Sequence, residues 1–108
     1  MPPDGVILLA EVGGEAAGVA ALQPLDDEGA CEMKRLYVEP EHRGQGIGRA
    51  LAEAIIEEAQ GLGYDVMRLD TVAWMIPARR LYRSLGFDER DAYYHNPLED
   101  AVYMERTL

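Results

Sequence analysis

Apolar positions along this chain change their spacing several times, and each change marks an element. Val6 to Val12 and Ala16 to Gln23 are apolar runs joined by Gly13-Gly14, the pattern of a tight hairpin. Pro24 to Gly29 is polar and turn-like, and Cys31 to Val38 reads as a third strand ended by Pro40. From there the period lengthens. Ile47, Leu51, Ala54, Ile55, Ala59 and Leu62 recur at helical spacing, with Gly63 as the C-terminal cap. Val66 to Val72 returns to a strand pattern. Pro77 suits the first turn of a second helix, which buries Ala78, Leu81 and Leu85 and stops at Gly86. Phe87 to Asp91 and Val102 to Arg106 then read as a closing pair of strands, with Asn96-Pro97 in the loop between them.

Three strands, a helix, a strand, a helix and two strands predict an α/β fold with a mixed, mostly antiparallel twisted sheet and helices packed on it. No repeat, linker or low-complexity stretch interrupts the pattern, so residues 1–108 read as one domain. A chain of 108 residues can hold a single core, and 48% hydrophobic content suits a packed globule. The lone Cys31 permits no internal disulfide, and Met1-Pro2-Pro3-Asp4 lacks the basic start of a signal peptide, so a cytoplasmic location is expected. No apolar run approaches the length of a membrane span.

Charge narrows the partners. Twenty acidic against ten basic residues give a net charge of −10, which argues against nucleic acid or an anionic membrane as partner. The balance is compatible with a cationic acceptor such as an amine. Nine of the ten bases are arginine, which fits a GC-rich coding sequence or adaptation to high salt.

The run Arg43-Gly44-Gln45-Gly46-Ile47-Gly48 carries the chemistry. It lies between the third strand and the first helix, where glycines let a ligand rest on the backbone and the helix start offers unpaired N–H groups to an anion. A plain strand-to-helix turn is the other reading. A dinucleotide fingerprint would need glycine where Arg49 stands, and a Walker loop would need Gly-Lys-Ser/Thr, whereas the single lysine is Lys34. What remains is Arg-x-x-Gly-x-Gly, carried by Arg43, Gly46 and Gly48. Upstream stands Glu32-Met33-Lys34-Arg35-Leu36-Tyr37-Val38-Glu39-Pro40-Glu41-His42, and downstream Ala78-Arg79-Arg80-Leu81-Tyr82-Arg83-Ser84-Leu85-Gly86-Phe87.

Together these runs resemble the GNAT superfamily of acyl-CoA-dependent N-acyltransferases, from about Val6 to Leu108. The resemblance implies acetyl transfer from acetyl-CoA directly to an amine of a small molecule or peptide, without a metal. It implies that the backbone of Arg43, Gly44, Gln45, Gly46, Ile47, Gly48 and Arg49 holds the pyrophosphate. Leu36, Tyr37 and Val38 would align the pantetheine arm, with an N–H near Tyr37 or Val38 facing the thioester oxygen. Tyr82 falls at the family's general-acid position and would protonate the departing thiolate; the other reading is a helix tyrosine half-buried against the sheet. The family's usual opening strand and helices, which form much of the acceptor pocket, are missing ahead of the hairpin. The chain is then a trimmed form, or a partner closes that side, as a homodimer would.

Glu32 is the first candidate for the base that takes the amine proton, and Asp70 the second; both also read as solvated edge carboxylates. Cys31 has no histidine at a recognisable spacing, and reads better as a small core residue than as a nucleophile. His42 and His95 stand too far apart to suggest a metal site. Tyr93-Tyr94-His95-Asn96-Pro97 could line an acceptor pocket or pack as an ordinary loop, and Trp74-Met75-Ile76 belongs to the core or to a dimer face. Two function classes remain: an N-acetyltransferase, or a non-catalytic CoA-binding sensor or subunit.

Overall fold

The computed structural model describes residues 5–93 and 99–108. Strands β1 (Val6–Val12) and β2 (Glu15–Pro24) form the expected antiparallel hairpin. Strand β3 (Ala30–Val38) pairs antiparallel with β2, and a short 3-10 turn over Pro40–His42 leads towards helix α1 (Ile47–Gly61). Strand β4 (Val66–Val72) runs parallel to β3 and is succeeded by helix α2 (Ile76–Ser84). Strands β5 (Asp88–Arg90) and β6 (Ala101–Thr107) complete a six-stranded sheet in the order β1-β2-β3-β4-β6-β5. The mixed α/β architecture agrees with the expectation from the sequence, with element ends unchanged or shifted by no more than two residues. Phe87 falls outside β5 and is fully buried, while Asn96-Pro97 lies outside the described residues.

Helix α1 packs across β1, β2 and β3. Leu51, Ala52, Ile55, Ile56 and Ala59 are its buried positions, and they meet Ala20, Leu22, Cys31, Met33, Met67, Leu69 and Met104 of the sheet. Three positions depart from the predicted stripes, the first being Ala54, which is half-buried and outside the core. Leu62 is 39% exposed because the helix ends at Gly61 and Leu62 only caps it. In α2 the buried residue is Tyr82, whereas Leu81 is half-buried. Ala78, Tyr82 and Leu85 share the face that packs on the core, at the i, i+4, i+7 spacing of one helix side. Trp74, Met75 and Ile76 are 69%, 40% and 46% exposed, so they are not core residues.

Two irregularities in β3 shape a cleft in the sheet. The first is a bulge: Tyr37 pairs with Val19 and Lys34 with Ala21, so two residues of β3, Arg35 and Leu36, stand opposite Ala20 alone. Arg35 takes the left-handed conformation, with φ at 52°, as the extra residue. The insertion resets the alternation, so Cys31 and Met33 face the core before the bulge, and Leu36 and Val38 after it.

The second is the ladder to β4. It has three rungs, Ala30↔Val66, Cys31↔Met67 and Glu32↔Arg68. Beyond Glu32 and Arg68 the two strands continue to Val38 and Val72 without pairing to one another, so the sheet opens into a cleft between them. On the face away from α1, Gln23, Glu32, Arg68, Glu105 and Asp88 are successive cross-strand partners, a polar row over five strands.

Candidate functional site

The cleft has a mouth, two walls and an apex. At the mouth, Gly44 and Gly46 adopt φ of 81° and 80°, a conformation that disfavours any residue with a side chain. Among the described residues, none beyond the immediate chain neighbours has an atom within 4 Å of where a Cβ would stand on either glycine, so their surfaces are open. Gly46 is the N-cap of α1, and no side chain caps the first-turn N–H groups. Those donors and the positive end of the helix dipole leave room for an anion. The Arg43 guanidinium donates from Nε to the Val38 carbonyl at 2.9 Å and lies 5.5 Å from the Tyr37 ring centre. It ties the loop to the end of β3 and fixes a positive charge there. Arg49 donates to Ser84 Oγ at 2.5 Å, linking the first turn of α1 to α2.

Main chain also makes one wall. From Met33 to Val38, β3 is paired on its β2 side and unpaired towards β4, which leaves backbone donors and acceptors lining the cleft. Leu36 and Val38 send their side chains to the core, and Tyr37 is 43% exposed. The bulge at Arg35 therefore turns the strand within the wall itself.

At the apex stands Glu32, the buried charged residue among those described, only 2% exposed. Burying a carboxylate without partners is very costly, and Glu32 has three. Gln23 Nε2 donates to its Oε1 at 3.2 Å, Lys34 Nζ lies 3.0 Å from the same oxygen, and the Tyr93 hydroxyl donates to Oε2. Glu32 borders a cavity of about 300 Å³ that Leu25, Asp26, Asp27, Lys34, Arg68 and Tyr93 also line. This excludes the reading of Glu32 as a solvated edge carboxylate.

Arg68, the rung partner of Glu32, donates to Asp27 Oδ2 at 2.6 Å and to Glu105 Oε1 at 2.8 Å. Its hydrogen bonds to Asp27 first and to Glu105 second raise its pKa further. Arg90 donates to the same Glu105 oxygen at 2.5 Å. The Arg68 hydrogen bond, then that of Arg90, holds the Glu105 carboxyl below its ordinary range against the opposing effect of burial.

Tyr82 is 9% exposed and packs edge-on to Phe87, with ring centres 6.0 Å apart. Burial first, and the charge of Asp70 second, push its hydroxyl pKa up, so it keeps its proton. Asp70 thus acts on Tyr82 electrostatically, and it does not line the Glu32 cavity. Cys31 is fully buried, its thiol pushed up to about 12 by burial, and Sγ lies 3.6 Å from the Val66 carbonyl. It is a core residue and no nucleophile. Among the described residues no group of three or more His, Cys, Asp and Glu could hold a metal ion. Tyr93 lines the cavity, while residues 94–97 of the same run lie outside the described residues.

A family model described as the acetyltransferase (GNAT) family matches residues 1–87. The chain belongs to the GNAT acetyltransferase family. An uncharacterised N-acetyltransferase of Schizosaccharomyces pombe is 48% identical over 104 residues, which cover 95% of this chain and 64% of that protein. The chain thus spans less than two thirds of that relative. An IAA acetyltransferase of Azospirillum brasilense is 34% identical, covering 98% of this chain and 70% of that protein. Among solved structures, the Escherichia coli ribosomal-protein-S18-alanine N-acetyltransferase superposes with a TM-score of 0.83 at 30% identity, covering 95% of this chain and 68% of that one.

Within this GNAT fold the sequence motif and the cleft coincide: Arg43 to Arg49 form the mouth, Leu36 to Val38 the wall and Glu32 the apex. Gln23, Arg68, Arg90 and Glu105 carried no visible signal, because their meeting depends on strand pairing across the sheet. Lys34, two residues from Glu32 on the same strand face, was the nearest legible hint.

Proposed function

We propose that this protein is an acyl-CoA-dependent N-acetyltransferase that moves an acetyl group from acetyl-CoA directly to an amine of a small molecule or peptide. The observation that carries the reading is the three-rung ladder, because it sets an open glycine loop and a buried carboxylate at opposite ends of one cleft. In this reading residues 1–108 act as one GNAT-like domain. Its location is cytoplasmic; no helix among the described residues is long and apolar enough to cross a membrane.

The backbone of Arg43 to Arg49 holds the pyrophosphate, with the α1 N–H groups as donors. Residues Leu36 to Val38 hold the pantetheine arm through their unpaired main chain, and an N–H of that stretch stabilises the oxyanion developing on the thioester. Glu32 accepts the proton of the incoming amine, and Tyr82, kept protonated by burial, gives one to the departing thiolate. Holding both reactants together lowers the barrier without a covalent intermediate on the protein. The likeness to a ribosomal-protein-alanine N-acetyltransferase favours an amine acceptor carried on a peptide.

The test joins calorimetry with acetyl-CoA to a screen of primary amines and amino-terminal peptides. Saturable binding, lost in an Arg43→Ala, Gly46→Val double variant, together with acetyl transfer that Glu32→Gln slows about a hundredfold, is the expected result. Binding without transfer to any amine would favour a CoA-binding sensor or subunit. A folded chain that binds no acetyl-CoA would overturn both.

A further inference from the structure

Glu32 presents two oxygens and about four lone-pair positions. Among the described residues Oε1 receives two donors, Gln23 and Lys34, and Oε2 receives one, the Tyr93 hydroxyl. The remaining lone pair is therefore on Oε2, beside that hydroxyl. Tyr93 comes from 61 residues away in sequence, and its own placement is held from several sides. The guanidinium carbons of Arg68 and Arg90 each lie 5.5 Å from its ring centre. Both arginines donate to Glu105 Oε1, so one carboxylate oxygen on β6 anchors both cations. The Tyr103 ring adds an edge contact at 5.2 Å and 75°.

We propose that Tyr93 is a positioning residue for acetyl transfer, one that orients the Glu32 carboxylate so that the free lone pair of Oε2 receives the acceptor amine, and that Glu105 sets Tyr93 through Arg68 and Arg90. The proposal rests on the reading of Glu32 as the base. It extends the apparatus of proton removal beyond β3, to β4, β6 and the segment after β5. Cation–ring contacts hold the plane of Tyr93, and its hydroxyl holds the carboxylate. The amine proton passes to Oε2 of Glu32, and no other bond changes there.

The experiment is a double-mutant cycle in steady-state kinetics, using the best acceptor from the amine and peptide screen. Tyr93→Phe keeps the ring and its stacking but removes the donor. It should lower kcat about tenfold, leave KM for acetyl-CoA within about twofold, and leave the thermal midpoint near that of the parent. In a Glu32→Gln background the same change should cost nothing further. Glu105→Gln, with the Tyr93 hydroxyl intact, should lower kcat severalfold in the same direction, and it carries the test if Tyr93→Phe fails to fold. Parental kcat in Tyr93→Phe beside an impaired Glu32→Gln, or effects that simply multiply, would overturn the positioning role alone. Full activity of Glu32→Gln would overturn the reading of the base, and the positioning role with it.

Discussion

At the mouth of the cleft, Gly44 and Gly46 expose backbone, with no described residue beyond their chain neighbours within 4 Å of their absent side chains, and the wall beside them is the unpaired edge of β3. At the apex the exposed chemistry belongs to side chains: Glu32 is held by Gln23, Lys34 and Tyr93, and the Tyr93 ring is flanked in turn by Arg68 and Arg90. The contrast matches the two partners of the proposed reaction. A nucleotide donor that is always the same can be gripped by main chain, which tolerates drift in surrounding side chains. An amine that must be chosen and deprotonated needs particular side chains held in particular orientations. Variants should therefore separate the two ends, since changes at the mouth act on affinity for the donor and changes at the apex act on turnover.

The largest effect belongs to the mouth. Gly46→Val puts a β-branched residue at φ 80°, where L side chains are strained by at least about 1–2 kcal/mol, and fills the open surface. Acetyl-CoA affinity, read by calorimetry, should fall by about a hundredfold or more; a small loss would break the contrast by showing that the main-chain cradle is dispensable. Next comes Tyr82→Phe, which should lower kcat by about tenfold or more while acetyl-CoA affinity holds within about twofold. Equal losses in both would assign the tyrosine to packing against Phe87.

Two smaller effects probe stability. A Cβ on Gly18 would stand 2.7 Å from the Tyr37 carbonyl oxygen and 2.9 Å from Leu51 Cδ1. Gly18→Ala should therefore destabilise the fold by about 1–3 kcal/mol, lowering the thermal midpoint by roughly 5 °C or more. Because that contact supports the Tyr37 end of the wall, donor affinity should weaken as well. The smallest effect lies at the apex. Glu105 titrates below its ordinary value of 4.5, chiefly through its bond to Arg68, so its contribution is present above 4.5 and is lost as pH falls through its lower folded value. The thermal midpoint of Glu105→Gln should decline less steeply than the parent's on acidification below 4.5, and parallel curves would show that the pair adds nothing to stability.

The same contrast explains what could be read from sequence. The mouth was legible because its pattern lies in local spacing: glycines at set intervals between a strand pattern and a helix pattern. Element order was legible for the same reason, since hydrophobic period is local. The burial of Glu32 was not, because a carboxylate at this position looks identical whether solvent or Tyr93 covers it. Nor was the Arg35 bulge, which is a mismatch of register between β2 and β3 and leaves no mark on β3 alone. The exposure of Leu62 was hidden too, because a helical stripe does not reveal where its last turn ends.

A ladder of only three rungs also governs how backbone hydrogens exchange with deuterated solvent. Amides of β3 between Met33 and Val38 that point towards β4 have no strand partner, so they exchange without waiting for the sheet to open. Their neighbours that point towards β2 are locked in the antiparallel pairing and exchange only when that half of the sheet gives way. A ligand lying along the cleft would act as the missing strand, so slowed exchange confined to this one stretch would report donor occupancy even when no acceptor is present.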